Sequence, residues 1–381
     1  ALETCRILEL GCGDGSHLIP IALTLPGSRS VGADLARAPV EAGRKIISGL
    51  HLGNVVLHQL DLRKVDESFG QFDYIIAHGL YSWAPPETRD RLLAICGTNL
   101  APDGIAFVSY NTYPGCHMRD MMRQMLLYQT RGLSDPELKL KHAYALINFL
   151  ASSAAKPPAL AEEVESLQSR SASALFHDDL AETNQPVYFH QFAEHAGRHG
   201  LEYVGEAEFK ALLHGGLSDE TARTLKLVSG GDRIQEQQYL DFLRCRRFRQ
   251  TLLCRRPAAL PERPDAGAVM HLRAASSLQP VSDGADAASD AEAEFRSPAG
   301  HTLKTNLPLA KAVLFSLSGR WPASVAFGDL AAEVALRLAG APGDTVALAE
   351  LLLRLSLSGV VELHALPPSF TLEVSARPRA F

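Results

Sequence analysis

The 381-residue chain lacks several features that would place it in a special class of protein. Its six cysteines are scattered without a C-x-x-C pair, which argues against a zinc ribbon or a disulfide framework and is typical of a reducing compartment. No apolar run reaches about 18 residues, so we expect no membrane insertion. The formal net charge is only −6, with both signs interspersed, so no attraction to nucleic acid is expected. These absences predict a cytoplasmic protein.

The N-terminal end of the sequence also lacks something. The chain starts at Ala1, without Met, only a few residues before the first predicted strand. We expect that the natural N-terminus is missing, together with any targeting segment it carried.

The first 115 residues alternate strand and helix patterns. Five short apolar strands are predicted, at Arg6–Leu10, Ser30–Asp34, Val55–Leu60, Phe72–Ala77 and Ile105–Tyr110. Helical patterns fall between them. Strands that alternate with helices at this spacing need parallel crossover connections, so an α/β, doubly wound, Rossmann-like sheet is predicted over residues 1–115.

The next region, residues 116–185, shows only helical patterns and is predicted to be a helical insertion. Sheet patterns return in residues 186–256, with strands at Leu201–Glu206 and Phe248–Cys254. These two strands either complete the first sheet, which we favour, or form an independent α+β module. Residues 257–294 are rich in Pro, Ala, Asp and Ser, and a flexible linker is predicted there.

The last region, residues 295–381, recovers apolar patterning. Three predicted helices precede a predicted hairpin of Val360–Ala365 and Phe370–Val374. That order predicts a C-terminal winged-helix-like α+β module. Its candidate recognition helix, Asp344–Ser358, carries Arg354 as its only basic residue. Protein binding or scaffolding is therefore expected of this module, and no nucleic acid binding.

A glycine loop, Glu9-Leu10-Gly11-Cys12-Gly13-Asp14-Gly15, follows the first strand. Glycines between a strand and a helix allow the backbone to approach a ligand, because a Cβ would block that approach or the tight turn. A dinucleotide fingerprint requires G-x-G-x-x-G. Here Ser16 follows Gly15, so the third glycine comes one residue early. This spacing, with Glu9 near the end of the strand, favours S-adenosylmethionine (SAM) over NAD.

Two further acids support a SAM site. Asp34 ends the second strand, where a carboxylate can accept hydrogen bonds from both ribose hydroxyls. Asp61 follows the third strand, where a carboxylate can accept from the adenine amino group. Either acid alone could be a solvated loop residue, but Glu9, Asp34 and Asp61 together in register predict the cofactor site.

The N-terminal segment resembles a class I SAM-dependent methyltransferase. The chain as a whole is similar to a narrower family, methyltransferases that carry a methyltransferase regulatory domain. Four segments carry that likeness: His78-Gly79-Leu80-Tyr81-Ser82-Trp83, Ser109-Tyr110-Asn111-Thr112-Tyr113-Pro114-Gly115, His177-Asp178-Asp179-Leu180-Ala181-Glu182 and Phe248-Arg249-Gln250-Thr251-Leu252-Leu253. The family includes rickettsial protein-lysine methyltransferases that modify an outer-membrane protein and also end in a winged-helix domain. Cys116 departs from the family pattern, which has Trp there.

The resemblance implies a site for SAM, and for its product S-adenosylhomocysteine, without a metal. The glycines would contact the methionine moiety, Asp34 the ribose and Asp61 the adenine. The full set of cofactor-binding residues that we predict is Glu9, Gly11, Cys12, Gly13, Gly15, Asp34, Leu35, Asp61, Leu62 and His78.

The methyl acceptor should lie beside the loops after strands four and five, since ligands of open α/β sheets bind outside the carboxyl ends of the strands. The predicted catalytic residues in these loops are His78, Tyr81, Trp83, Tyr110, Asn111 and Tyr113. No N/D-P-P-Y motif follows strand four, which disfavours methylation of nucleic acid bases. A lysine acceptor must lose a proton of pKa about 10.4, and apolar burial beside aromatic rings favours that loss.

We therefore expect a protein-lysine N-methyltransferase with a protein substrate. A small-molecule N- or O-methyltransferase, or a SAM-binding regulatory protein without turnover, are the alternatives. The aromatic residues either line the acceptor pocket or belong to the core, and His78 either accepts the proton or is structural. The helical insertion could pair two subunits as a homodimer.

Two polar patterns are interpreted as structural. His190, His195 and His199 have helical spacing, but they do not form H-E-x-x-H and no cysteines or carboxylate cluster join them, so we expect solvent-facing or capping histidines. The basic run 244–256 alternates with apolar residues and predicts a strand with one charged face, either solvated or bound to an acidic partner.

Overall fold

The computed structural model describes residues 2–153, 157–208, 217–256, 265–282, 287–338 and 344–367. Contacts divide the chain into two compact units. Among the described residues, the first unit runs to residue 256 and the second begins at residue 265. None of the described helices is both long enough and apolar enough to cross a bilayer.

A seven-stranded sheet forms the centre of the first unit. Its strands are β1 (Arg6–Leu10), β2 (Arg29–Asp34), β3 (Val55–Gln59), β4 (Phe72–Ala77), β5 (Leu100–Asn111), β6 (Leu201–Glu206) and β7 (Phe248–Arg255). Their order is β3-β2-β1-β4-β5-β7-β6, with β1 to β5 parallel and β7 antiparallel to both neighbours. The α/β doubly wound fold is confirmed, and β6 and β7 join the same sheet instead of forming an independent module.

Helices pack on both faces of the sheet, although Tyr74, Ile76 and Phe107 on one face are only partly buried. The methyltransferase-like part contributes α1 (Leu18–Thr24), α2 (Arg37–Gly49) and α3 (Pro86–Asn99). Because both faces are covered, β1 has no solvent-facing side: Ile7, Leu8, Glu9 and Leu10 are all buried. The α3 helix begins at a proline, which has no amide hydrogen to leave unsatisfied in the first turn.

Between β5 and residue 180, the elements in the described residues are all helical. They are α4 (Cys116–Thr130), α5 (Pro136–Ser152), α6 (Pro158–Gln168) and the short α7 (Ala172–Ala174), followed by a π-helical turn, Leu175–Asp179. Asp135 caps α5 by accepting a hydrogen bond from the Leu138 amide. The helices share an apolar cluster of their own, which includes Met122, Ile147 and Val164.

The segment that leads to β7 adds α8 (Phe189–Arg198), α9 (Asp219–Val228) and α10 (Arg233–Arg244). The basic run at this end is not the solvated face that its alternation predicts. Arg249 on β7 is fully buried, and its guanidinium pairs with Asp241 of α10 at 2.8 Å and Glu206 of β6 at 2.5 Å. These two acids, 8 and 43 positions away in sequence, hold the arginine inward, where it ties α10 to β6 and β7.

The second unit combines helices with two small sheets. Its elements are α11 (Ala266–Val269), β8 (Arg273–Ala275), β9 (Gln279–Pro280), β10 (Ala293–Arg296), β11 (Thr302–Thr305), α12 (Pro308–Ser318), β12 (Val325–Ala326), α13 (Phe327–Arg337), α14 (Thr345–Leu357) and β13 (Glu362–His364). One sheet has the order β11-β10-β9 and the other β12-β8-β13. Helices α12, α13 and α14 share one apolar core with residues of α11 and β8.

The flexible linker predicted over 257–294 is wrong for its described residues. Val269, Ala274 and Leu278 are buried there, because the small apolar side chains between the polar stretches pack under the helices. The predicted hairpin of the wing stays a prediction. Its first strand, β13, pairs with β8 from the predicted linker, and the proposed partner strand 370–374 lies outside the described residues. The winged-helix-like assignment of 295–381 stays a prediction.

Candidate cofactor and acceptor site

The glycine loop lies at the carboxyl end of β1 and is held by hydrogen bonds to β2. Gly11, Gly13 and Gly15 have φ values of +75°, +53° and +79°, which side-chain-bearing L residues rarely adopt. The Gly11 amide donates to the Ala33 carbonyl at 2.8 Å. A Cβ at Gly13 would meet nothing within 4 Å, so glycine serves the backbone conformation there and leaves open space above the loop.

Asp34 ties the loop to the end of β2. Its Oδ2 accepts from the Gly13 amide at 2.9 Å, and its Oδ1 accepts from the Ala36 amide at 2.7 Å. Each carboxylate oxygen has a second lone pair, so the side chain can still accept from two ribose hydroxyls. The geometry therefore fits the role predicted for Asp34.

Glu9 sits beneath the loop and is 2% exposed. Its Oε1 lies 2.7 Å from His17 Nδ1, and its Oε2 is buried without a hydrogen-bond partner among the described residues. Burial raises the pKa of Glu9, and the hydrogen bond from His17 opposes that rise. A buried carboxylate oxygen with no partner is costly, and a cationic group of a ligand such as the amino group of SAM would satisfy it.

The adenine side of the site is built differently from its prediction. Asp61 caps the short turn after β3 and pairs with Arg63, whose Nη2 lies 2.5 Å from Oδ2. Hydrogen bonds from Arg63 lower the pKa of Asp61 to about 2. This exposed pair is weak enough for an adenine amino group to compete with it. Leu35 is 69% exposed and offers an apolar surface for a ring, whereas the Leu62 side chain is buried.

Cys12 does not offer its side chain to a ligand. The side chain is 4% exposed and points at β2, where its Sγ would lie 2.6 Å from a Cβ at Gly32. The predicted contact of Cys12 with the cofactor is thus limited to backbone, because the thiol fills the space beneath the loop. Burial raises the pKa of this thiol to about 12, so it stays protonated.

His78 lies at the end of β4 and joins it to β5. Its Nδ1 is 2.9 Å from Ser109 Oγ, and the same oxygen accepts from the Gly79 amide at 2.9 Å. If Ser109 donates its proton to Nδ1, every group in this network is satisfied and the neutral ring carries hydrogen on Nε2. Burial lowers the pKa of His78, with the neighbouring His17 adding to the effect. The arrangement favours a structural histidine over a proton acceptor.

Tyr81 and Tyr110 lie in the core and not on the acceptor surface. Tyr81 is 3% exposed, and its hydroxyl is 2.8 Å from His195 Nδ1. Tyr110 is fully buried, stacks on Phe192 with ring centroids 4.0 Å apart, and shares a hydrogen bond with Thr251. Both predicted acceptor contacts are therefore wrong, because α8 and β7 cover these rings.

Trp83 and Asn111 lie between the acceptor loops and the later segment. The Trp83 indole nitrogen is buried without a partner among the described residues. The Asn111 side chain donates to Asn184 Oδ1 at 2.9 Å, and its amide donates to Ser82 Oγ at 2.9 Å. Asn111 therefore holds the loops together from a buried position.

Tyr113, unlike Tyr81 and Tyr110, remains partly exposed. Its ring stacks on His117 with centroids 4.1 Å apart and lies 5.4 Å from that of Tyr188. We call Tyr113, His117 and Tyr188 the aromatic cluster. The Tyr113 hydroxyl donates to Asp120 Oδ2 at 2.5 Å. Burial first, and then this hydrogen bond, raise the pKa of Tyr113 well above its usual range.

Several site residues were missed from the sequence. His17 and Ser109 support Glu9 and His78, and Asp120 and Tyr188 complete the surroundings of Tyr113. His17 could have been found from its position two residues after Gly15. Nothing in the sequence indicates Tyr188, because it follows the helical insertion and reaches the end of β5 only in the fold.

Comparison with known proteins supports the assignment of the glycine loop to a SAM-dependent methyltransferase. A family model described as a methyltransferase domain matches residues 8–106, and one described as a predicted methyltransferase regulatory domain matches residues 171–255. Uncharacterized protein RP028 of Rickettsia prowazekii is 40% identical over 200 residues, which are 51% of this chain and 80% of the relative. The chain belongs to the SAM-dependent methyltransferases that carry a regulatory domain.

The chain is also similar to a solved structure, that of PKMT2 from Rickettsia typhi in complex with AdoHcy, with a TM-score of 0.86 and 29% sequence identity. The match covers 100% of this chain and 75% of that one. Uncharacterized protein RP789 of Rickettsia prowazekii is 36% identical over 258 residues, which are 66% of this chain. The matched region is only 46% of that relative, so this chain spans about half of its length.

Proposed function

We propose that this chain binds SAM at the glycine loop and transfers the methyl group to a lysine side chain of a protein. The aromatic cluster carries the proposal, because it follows β5 at the sheet edge where the glycine loop follows β1. Ligands of open α/β sheets bind at this edge. The similarity to PKMT2 of Rickettsia typhi supports the same assignment.

The cofactor supplies an electrophilic methyl group on its sulfonium when bound. Asp34 orients the ribose, and the orphaned Glu9 oxygen receives the amino group of the methionine moiety. The open glycine loop lets the cofactor lie directly against backbone. These contacts fix the methyl group in place, so that alignment with the acceptor lone pair supplies most of the rate.

The lysine amine must be neutral to attack. At pH 7 its deprotonation costs about 4.6 kcal/mol for a pKa of about 10.4. The rings of Tyr113, His117 and Tyr188 pack on the apolar stem of the lysine and lower that cost by removing water from the amine. Asp120, already bonded to the Tyr113 hydroxyl, attracts the incoming ammonium before the proton leaves.

The test is incubation of the purified chain with labelled SAM and a proteome extract, followed by mass spectrometry of the labelled sites. Label on protein lysines is expected, and Asp34→Ala serves as the control that should remove it. Label found only in small metabolites would refute the lysine acceptor. Failure of S-adenosylhomocysteine to bind, measured by calorimetry, would instead refute the cofactor site.

Two further expectations, a cytoplasmic location and a homodimer, belong to the proposal. The described cysteines are all free thiols, which supports a reducing, cytoplasmic site of action. Tyr128 and Phe149 on the helical insertion are 67% and 66% exposed, which supports pairing of two subunits through this region. Sedimentation velocity should show a dimer that Tyr128→Ser weakens, and a monomer at micromolar concentration would contradict it.

A further inference from the structure

Two histidines on α8 meet a carboxylate from α3. His195 and His199 are one helical turn apart, and their Nε2 atoms lie 3.1 and 2.8 Å from the same oxygen, Asp90 Oδ1. One ligand-capable atom from each of the three residues lies within 4.8 Å of the others. No pattern in the sequence indicated this carboxylate, which lies 105 positions before His195.

We propose that Asp90, His195 and His199 bind one divalent transition-metal ion of the zinc class. Two imidazole nitrogens and one carboxylate oxygen are a ligand set that zinc takes up readily, with water in the fourth position. Metal–ligand distances of about 2.0–2.1 Å in a tetrahedron place the ligand atoms about 3.3 Å apart. The observed separations from Asp90 need to grow by only a few tenths of an ångström.

The surroundings of His195 fit a metal ligand. Histidine ligands commonly have the second ring nitrogen fixed by a hydrogen bond, and His195 Nδ1 lies 2.8 Å from the Tyr81 hydroxyl. That hydroxyl can accept from Nδ1–H when Nε2 binds a metal, or donate to Nδ1 when Nε2 carries the proton. Burial lowers the pKa of His195, which keeps the ring neutral and able to coordinate.

The site is accessible to an ion from solvent. Asp90 is 60% exposed, and His195 and His199 are 14% and 18% exposed. His199 caps the carboxyl end of α8, where the helix dipole favours positive charge. The positive charge of Arg198, close to His195, opposes the binding of a further cation.

The proposed ion would join the two matched segments of the chain, since Asp90 belongs to residues 8–106 and both histidines to residues 171–255. The two helices are already in close contact: a Cβ at Gly97 of α3 would lie 2.3 Å from the His199 carbonyl oxygen. Such an ion would fix the regulatory segment to the methyltransferase segment beside Tyr81, whose hydroxyl already contacts His195. This inference does not depend on the acceptor that we propose.

The experiment is titration of the chelator-treated full chain with Zn²⁺ alone, by calorimetry, and with Co²⁺, by visible absorption. One equivalent is expected to bind, with affinity falling as pH drops below about 6.5 because protons compete for the histidines. Asp90→Asn and His199→Ala should each weaken binding at least about tenfold. His190→Ala is the matched control on the same helix, and it should bind as the original does.

Asp90→Asn conserves size at an exposed position, so it tests the site even if His199→Ala fails to fold. Unchanged Zn²⁺ affinity in both variants would overturn the proposal. Loss of binding in Cys245→Ser, with Asp90→Asn unaffected, would assign the ion to the exposed thiol and overturn it equally. Absence of any measurable Zn²⁺ binding by the original chain would also overturn the proposal.

Discussion

The cofactor loop and the acceptor loops lie at the same edge of one sheet, yet they depend on the rest of the chain very differently. The loop is held by Asp34, 21 positions from Gly13. The acceptor side is held by contacts such as Tyr110 to Thr251, 141 positions apart. The cofactor side therefore depends on residues close together in sequence, and it can be recognised as a motif. The acceptor side depends on a later segment of the chain, and it cannot.

The largest expected effect is on stability, and it comes from the buried ion pairs of Arg249 on β7, which lies on the acceptor side of the site. Arg249→Met leaves the buried Asp241 and Glu206 with only the more distant guanidinium of Arg246, at 3.2 and 3.8 Å, and should lower the free energy of unfolding by about 3–5 kcal/mol. Urea denaturation followed by fluorescence measures it. Arg37→Met, which removes the exposed Arg37–Glu41 pair, is the control and should leave the urea midpoint almost unchanged. Equal effects would mean that the buried network adds nothing to stability.

Next in size is the cofactor half. Asp34→Ala removes the acceptor of the ribose hydroxyls and should weaken S-adenosylhomocysteine binding by about 1.5–3 kcal/mol, the range for hydrogen bonds to a charged group. Calorimetry on the purified variant checks it. Asp66→Ala removes a cap elsewhere on the first unit and should leave the affinity alone. An unchanged affinity in Asp34→Ala would remove Asp34 from the site.

The acceptor half is tested by two matched tyrosines. Tyr113→Phe breaks the hydrogen bond to Asp120 and should lower kcat/KM for a protein acceptor about tenfold without altering cofactor affinity. Tyr110→Phe removes only a core hydrogen bond, costing about 1 kcal/mol of stability and leaving kcat/KM nearly unchanged. If Tyr110→Phe impairs turnover more than Tyr113→Phe does, the assignment of surface and core is reversed.

The smallest effect concerns pH. Burial lowers the pKa of His78 in the folded chain, so the unfolded chain binds that proton more readily. The contribution of His78 to stability is therefore fully present above the unfolded pKa of about 6.5, and it is lost as the pH falls through the lower folded pKa. In His78→Gln the decline between pH 7 and 5 should be shallower, measured as urea midpoints at each pH. Identical slopes would show that His78 titrates alike in both states.

Much of the fold followed from local patterns. The five parallel strands were predicted because each is a short apolar run between helical repeats, and β6 and β7 were placed in the same sheet correctly. The linker failed because its few apolar residues, such as Val269 and Leu278, are too sparse for a periodic pattern but still pack. The acidic partners of Arg249 could not be found, since ion pairing over that separation leaves no periodicity.

The sequence by itself determined the cofactor half of the site. Glycines at Gly11, Gly13 and Gly15 are required by their positive φ, and a carboxylate at the end of β2 follows from the parallel sheet that the strands themselves predict. The tertiary structure alone decided which aromatic rings face an acceptor and which histidines meet a carboxylate. Tyr81, Tyr110 and Tyr113 are chemically alike, and their exposure depends on where α8 and β7 pack, which no local pattern records.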